Sequence, residues 1–281
     1  MSLKGARCSI FGLALLIAIS SMNAQSWHLE TPYSPRSPEV VNDSHKTIEA
    51  YSSFHLCPNK AFTPGKIWHD QDALDSSGIT TGDMKAADGK QMHSIGIEPG
   101  GRWIMPGTPG QIVNEKEISC ELQVDAILFT DGSYEGDEAS VRALQARRDG
   151  IRASVNYWSE KFNIENPDPS DFATLRNQAK DRLKQERDIF DKYLYAALNS
   201  ETQPLSMAYW NGRIQVDQNV EHWISDSLSG EKALKNYQRS ASDIARWQKK
   251  IETDISMQNL SAEFPPVTED SVKPENLAAQ E

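Results

Sequence analysis

Val124-Asp-Ala-Ile-Leu-Phe-Thr-Asp-Gly-Ser-Tyr-Glu-Gly-Asp137 is the stretch where one hydrophobic periodicity gives way to another. Upstream, apolar residues alternate with polar ones between Gly and Pro punctuation, the pattern of short strands. Downstream they recur at three and four, with no Pro before Pro167, the pattern of long helices. Within the stretch Val124, Ala126 and Leu128 share one face of a strand and Ile127 and Phe129 the other, so burial on both sides is expected. Asp131-Gly132 is a tight-turn pair, because Gly takes positive φ at no steric cost. Ser133 to Glu135 can return as a short strand. Asp137 is placed to cap the helix that follows, accepting from the free N–H groups of its first turn.

The same residues also admit a metal reading. Asp131, Ser133, Glu135 and Asp137 fall at alternate positions with Gly136 at the sixth, as in an EF-hand-like calcium loop. Such a loop ends on a bidentate carboxylate at its twelfth place, and that residue is Arg142. A positive charge stands where the ligand should be. The reading adopted is a structural turn at Asp131 and Gly132, with no metal and no cofactor.

Working outward toward the N-terminus, Ile118 to Val124 alternates. Pro-Gly turns follow Ile95-Gly-Ile and Trp103-Ile-Met105, and Ser76 to Gln91 is a long Gly- and Asp-rich loop. Val40-Val41-Asn42-Asp43-Ser44-His45-Lys46-Thr47-Ile48-Glu49-Ala50-Tyr51 reads as two strands around an Asn-Asp-Ser turn. Short strands with turns every eight to twelve residues fit a β-sandwich. The fold class is therefore α+β: a β-sandwich-like domain over 39–137 and a long-helix bundle over 138–256. Residues 25–38, with Pro32, Pro35 and Pro38, read as an extended leader. Residues 257–281 are acidic, Pro-containing and aperiodic, and read as a disordered tail.

Residues 1–24 have the pattern of a signal peptide: Lys4 and Arg7, an apolar run from Ile10 to Ile19, and a small residue at Ala24. That run, about ten residues, falls short of the roughly twenty that span a bilayer, so a secreted or periplasmic location with no later membrane span is expected. The formal net charge of -11 becomes more negative still once Lys4 and Arg7 are removed, which disfavours nucleic acid and anionic membranes as partners. Two cysteines remain, Cys57 and Cys120. In an oxidising compartment one disulfide is the expectation, constraining the unfolded chain by roughly 4 kcal/mol; two buried thiols or a reactive thiol are the alternatives.

Asn42-Asp-Ser-His-Lys-Thr-Ile-Glu-Ala-Tyr51, Glu98-Pro-Gly100 and Val124 to Asp137 resemble recurring segments of secreted bacterial proteins of unknown function. The resemblance covers about residues 39–145. It implies a small extracytoplasmic β-domain whose first hairpin surrounds an Asn-x-Ser turn, and it brings no catalytic residues with it.

Beyond Glu138, the stripe Val141, Leu144, Ile151, Val155, Trp158 and Phe162 predicts a helix of about 25 residues, interrupted only by Arg148; Ala143, Gln145, Arg147 and Arg152 cover its other face. A second helix is expected over about 171–199, with Phe172, Leu175, Ala179, Leu183, Phe190, Leu194 and Ala197 inward. A third spans about 230–256, with Leu234, Tyr237, Ala241, Ile244, Trp247 and Ile251. Between them, 206–225 fits either a helix or, through Asn211-Gly212, a hairpin.

Trp68-His69-Asp70-Gln71-Asp72, with Asp75 nearby, groups an imidazole and carboxylates of the kind used for acid/base or metal chemistry. A solvated turn is the bland reading. No Gly-x-Ser-x-Gly or phosphate-binding Gly loop is present. The chain is read as an exported, non-enzymatic binding or envelope-associated structural protein with a protein or envelope partner. The alternative is an extracytoplasmic hydrolase using carboxylates of 68–75 or 131–138, which would need Asp70, Asp72, Glu135 and Asp137 to converge. Calcium-dependent adhesion through the acidic turn is the third.

Overall fold

The computed structural model describes residues 26–30, 38–56, 66–76, 84–85, 91–92, 96–104, 110–113, 116–119, 121–165, 167–197, 203–225 and 231–272. In chain order they form β1 (Trp27–Glu30), β2 (Glu39–Asn42), β3 (Ile48–Leu56), β4 (Lys66–Asp72), α1 (Ala73–Ser76), β5 (Met84–Lys85), β6 (Gln91–Met92), β7 (Arg102–Ile104), β8 (Gly110–Val113), β9 (Lys116–Ser119), β10 (Glu121–Phe129) and β11 (Tyr134–Gly136). The helices α2 (Glu138–Lys161), α3 (Pro169–Ala197), α4 (Leu205–Ser225), α5 (Glu231–Thr253) and α6 (Ile255–Glu263) follow. The chain is thus mixed α+β, strands first. The expected signal segment 1–24 and both Cys57 and Cys120 lie outside the described residues.

Two antiparallel sheets dominate the first half, β1-β2-β7 and β11-β10-β3-β4. Trp27 and Val40 of the first share an apolar cluster with Ile48, Tyr51, Ile127 and Phe129 of the second. β1 corrects the view of 25–38 as a mere leader, since Trp27 is buried and Trp27–Glu30 pairs with Glu39–Asn42. The hairpin expected across Val40 to Tyr51 is a crossover instead. β2 pairs with β1 and β7, and β3 with β10 and β4. Buried Asn42 holds the crossover: its Nδ2 donates to the carbonyls of Lys46 at 2.8 Å and Ile97 at 2.7 Å, and its Oδ1 accepts from Ser44 N at 3.0 Å. Two strands around a polar turn look alike in sequence whether they pair with each other or with others.

β10 is the pivot. Ala126, Ile127 and Leu128 are fully buried and Phe129 nearly so. Ala126 and Leu128 pack with Val141, Leu144 and Leu260, whereas Ile127 and Phe129 join the cluster between the sheets. Val124, expected beside Ala126, lies with Ile127 and Phe129. The register steps from Val124↔Ser53 to Ala126↔Ser52, leaving Asp125 as a bulge, and one extra residue inverts the alternation. A second bulge falls on β3, where Ala50 faces Leu128 and Ile48 faces Phe129. The extra residue there is Glu49.

The β10–β11 connection is a tight turn with Gly132 at φ +82°, closed by Phe129 N donating to Ser133 O at 2.9 Å. Asp137 then caps α2, its Oδ2 accepting from Ser140 N at 2.9 Å. Every member of the α2 stripe is buried, and so are Ala143, Gln145 and Arg147 of the other face, whereas Arg152 there is half-buried. The reason is position: the four-stranded sheet and α6 cover the start of the stripe and α5 its later turns, while α4 packs on Ala143 and Ala146 of the other face.

α4 resolves the ambiguity over 206–225 as helix. Gly212 is not a turn residue. A Cβ on it would stand 2.0 Å from Arg147 O, and one on Gly150 would stand 2.0 Å from Tyr209 O. The two glycines let the backbones of α2 and α4 approach closely where they cross. On α3, Leu175, Ala179 and Leu183 are buried as the stripe requires, but Leu194 is exposed and Tyr193 takes the inward place. The disordered tail expected from 257 is also corrected. Asp254 caps α6, accepting from Met257 N at 3.0 Å, and Met257, Leu260, Phe264 and Val272 are buried against the rest of the chain. The apolar residues there are few and widely spaced, so composition masked them.

Candidate functional site

Arg148, the interruption in the α2 stripe, is the centre of the most unusual environment in the molecule. An arginine on the core-facing side of a helix is expensive to bury unless a carboxylate meets it. Asp72, the last residue of β4, does so from both oxygens, with Arg148 Nε at 2.6 Å and Nη2 at 2.9 Å. This fork is the geometry in which Arg and carboxylate bind most strongly. Arg148 Nη1 donates to Ser256 Oγ of α6, and Arg148 lies 3.7 Å from Glu49 Oε1. Next along α2, Arg147 donates to Asp75 at 2.6 Å. Asp70 accepts from Ser52 Oγ and Gln203 Nε2, each at 2.9 Å. From α5, Lys250 Nζ donates to the Ala73 carbonyl at 3.2 Å.

Five carboxylates (Glu49, Asp70, Asp72, Asp75 and Asp254) therefore surround three cations (Arg147, Arg148 and Lys250). The imbalance is felt most at Glu49. Burial, opposed by Arg148 and reinforced by the hydrogen bond it shares with Asp254, pushes its carboxyl up to about 7. Burial also raises Asp70 and lowers Lys250. Against its own burial, Asp254 is held below the usual range by Glu49 and Arg148.

Beside this cluster lies a cavity of about 110 Å³. Ile48, Ile97, Ala73 and Trp103 give it apolar walls, and Glu49, Tyr51, Gln71, Asp72 and Asp75 give it polar ones. Of the lining residues, Glu49 is 7% exposed and Tyr51 3%, and Glu49 Oε2 and Tyr51 Oη have no hydrogen-bond partner among the described residues. The Glu49 bulge on β3 places its side chain at this junction, as bulges commonly re-aim a residue beside a site.

Of the residues singled out in the sequence, Asp70, Asp72 and Asp75 belong to this cluster, while the acidic turn lies elsewhere. β4 and β11 are opposite edges of the four-stranded sheet, three strand spacings or roughly 14 Å apart. Asp131 is tied to Lys46 at 2.8 Å and to Ser133 N at 3.0 Å. Glu135 accepts from Ser26 Oγ at 2.7 Å, and Asp137 caps α2. Asp131 and Ser133 thus share Lys46, while Glu135 holds Ser26 and Asp137 holds the start of α2, so the four are spent on structural contacts. Among the described residues no group of three His, Cys, Asp or Glu is placed to hold a metal ion. Sequence reasoning missed Glu49 and Tyr51. The available signal was Arg148 itself, since a charge inside an apolar stripe demands buried acids elsewhere.

A second ionic network, in the helical half, centres on Asp217. Asp217 Oδ1 accepts from Ser154 Oγ at 2.8 Å and Trp158 Nε1 at 2.7 Å, and Oδ2 from Arg182 Nε at 2.5 Å. Glu186 Oε1 bridges Arg213 at 2.8 Å and Arg182 at 3.0 Å. These groups tie α2, α3 and α4 together. Among the described residues no helix is long and apolar enough to cross a membrane.

Comparison with protein-family models, curated proteins and solved structures finds no match to this chain.

Proposed function

We propose that this chain is an exported, non-catalytic protein that binds a small ligand in the cavity beside Glu49 and Tyr51, with the helical half as the scaffold. The observation that carries the reading is the cavity itself, about 110 Å³, with apolar walls from Ile48, Ala73, Ile97 and Trp103 and polar residues Glu49, Tyr51, Gln71, Asp72 and Asp75 along its lining. Pockets of that make-up, mostly apolar with a few convergent polar groups, are the usual form of a ligand site. The neighbouring acids support holding rather than turnover, because Asp72 and Asp75 are bound by Arg148 and Arg147. A glycosidase-type hydrolase instead needs two carboxylates about 5–10 Å apart across an open cleft.

The exported setting brings three further elements. The two facing sheets make a sandwich-like domain, and the resemblance to secreted bacterial proteins over about 39–145 belongs with it. Cys57 and Cys120 form a disulfide. The last described pair of the β3–β10 ladder is Leu56↔Glu121, and Cys57 and Cys120 are their immediate neighbours in the sequence.

The test is a thermal-shift and NMR titration of the mature protein with a panel of small amines, alcohols, carboxylates and sugars. A saturable shift, lost in Ala73→Val where the cavity is narrowed, is the expected result. Absence of any shift across the panel overturns the binding reading, and chemical conversion of a bound compound overturns the non-catalytic one.

A further inference from the structure

We infer that the groove beneath the C-terminal arm, residues 265–272, is a peptide-recognition site for an extended, proline-containing acidic segment of a partner protein, and that the arm is its resident occupant. The arm is built and held as a bound peptide is. Phe264 ends α6 in extended backbone, at φ -118° and ψ 137°, the region that a following proline favours. Pro265 and Pro266 are exposed and have no N–H to donate, so they lead the chain away from the helix as a stiff extended link. The described backbone–backbone hydrogen bonds of the arm, Ser271 N to Thr268 O at 3.1 Å and Val272 N to Glu269 O at 3.3 Å, close on the arm itself.

Three helices hold it by side chains instead. Asp149 of α2 accepts from Val267 N at 2.9 Å, Tyr193 of α3 donates to the Val272 carbonyl, and Arg213 of α4 pairs with Glu269. Val267 and Val272 rest on an apolar floor that includes Ala146, Tyr209 and Trp210. Bonds to the main chain for affinity, with separate seats for side chains, are the means by which grooves recognise extended peptides. Arg213 adds the preference for an acid. Its Nε is committed to buried Glu186 at 2.8 Å, while its Nη1 meets Glu269 at the rim, where that side chain is half-exposed. A partner's carboxylate can therefore replace Glu269 without disturbing the network behind it.

A second copy of this chain gains nothing by exchange, since its arm would remake the contacts the resident arm already makes while association costs freedom of motion. A different partner gains wherever its segment reaches past the ends of the arm. The tether at α6 keeps the arm at an effective concentration of roughly millimolar, so it excludes weak peptides and sets the affinity a partner must exceed.

The experiment follows a dye-labelled peptide of residues 265–272, acetylated and amidated, by fluorescence anisotropy against the full mature chain. Wild type is compared with Val267→Asp/Val272→Asp, whose arm no longer suits an apolar floor. The expected result is saturable binding to the variant, about tenfold or more tighter than to wild type, where the resident arm competes. A peptide with Lys in place of its glutamate should bind about tenfold more weakly, because the lysine meets Arg213. Should the double variant not fold, Glu269→Lys loosens the arm from its exposed side, and capture of the unaltered peptide should rise several-fold over wild type; no rise overturns the inference. Equal binding to wild type and variant places the peptide elsewhere and overturns it, as does a folded variant that captures nothing. Wild-type dimers in sedimentation that vanish in the variant, without peptide capture, assign the groove to a second copy and overturn the separate partner.

Discussion

Single residues in this chain do opposite things with the same chemistry. Asp131 is half-exposed, and Lys46 and Ser133 pull its carboxyl down to about 2. Exposed pairs of this kind contribute between nothing and about 1 kcal/mol, so Asp131→Asn, which keeps the bond to Ser133 N, should be close to neutral. Gly132 beside it is different. At φ +82°, with a Cβ falling 2.5 Å from Asn259 Cβ, Gly132→Val should cost more than about 2 kcal/mol by denaturant titration. Millimolar calcium should leave the melting temperature of the wild type unchanged. Glu49 shows the reverse of Asp131. Its carboxyl titrates near 4.5 unfolded and about 7 folded, so the folded state binds the extra proton between those values. Stability should therefore fall as pH rises from about 4.5 to 7 and level off above. Glu49→Gln should flatten that part of the melting-temperature profile; an unchanged slope would locate the proton elsewhere.

At the scale of elements, the α2–α4 contact depends on small residues rather than on propensity. Ala is the better helix former, yet Gly150→Ala and Gly212→Ala would each drive a Cβ into the backbone of the other helix. Each should destabilise by several kcal/mol instead of stabilising by about 1, and chemical denaturation will distinguish the two signs. The Asp217 network joins the same helices. Removing its carboxylate with Asp217→Ala leaves Arg182, Ser154 and Trp158 without their acceptor and should cost about 3–5 kcal/mol. A change under 1 kcal/mol would show that the network relaxes around water.

Across the whole molecule, the β-half and the helical half share their cores. Ala126 and Leu128 of β10 pack with Val141 and Leu144 of α2 and with Leu260 and Phe264 from the C-terminal segment. Leu74 of α1 sits among Ile151, Trp158 and Trp247. One unfolding transition, coincident by far-UV dichroism and Trp fluorescence, is expected. A chain ending at residue 254 loses Met257, Leu260, Phe264 and Val272 and should fall by at least about 5 kcal/mol, at roughly 1.5–3 kcal/mol for each buried side chain. Thiol titration of the denatured, unreduced mature protein should find no free thiol, and two would exclude the Cys57–Cys120 bridge.

The sequence by itself determined what short-range physics controls: the switch from strand to helix at Asp137, the Asp131-Gly132 turn, the inward stripe of α2, and the acidic character of the chain. Periodicity and turn chemistry act over a few residues, so they are legible without neighbours. Only the tertiary structure decided which partners those elements take. It placed β2 and β3 in different sheets, turned Val124 and Glu49 by bulges, made Gly212 a contact between helices, and drew the 255–272 segment into the core. It also supplied Asp72 to Arg148 from 76 residues away, and with that pairing the cavity at Glu49 and Tyr51. A lone charge in an apolar stripe announces that a partner exists, but pairing, register and close approach between distant segments are set by packing energies that no local window of sequence contains.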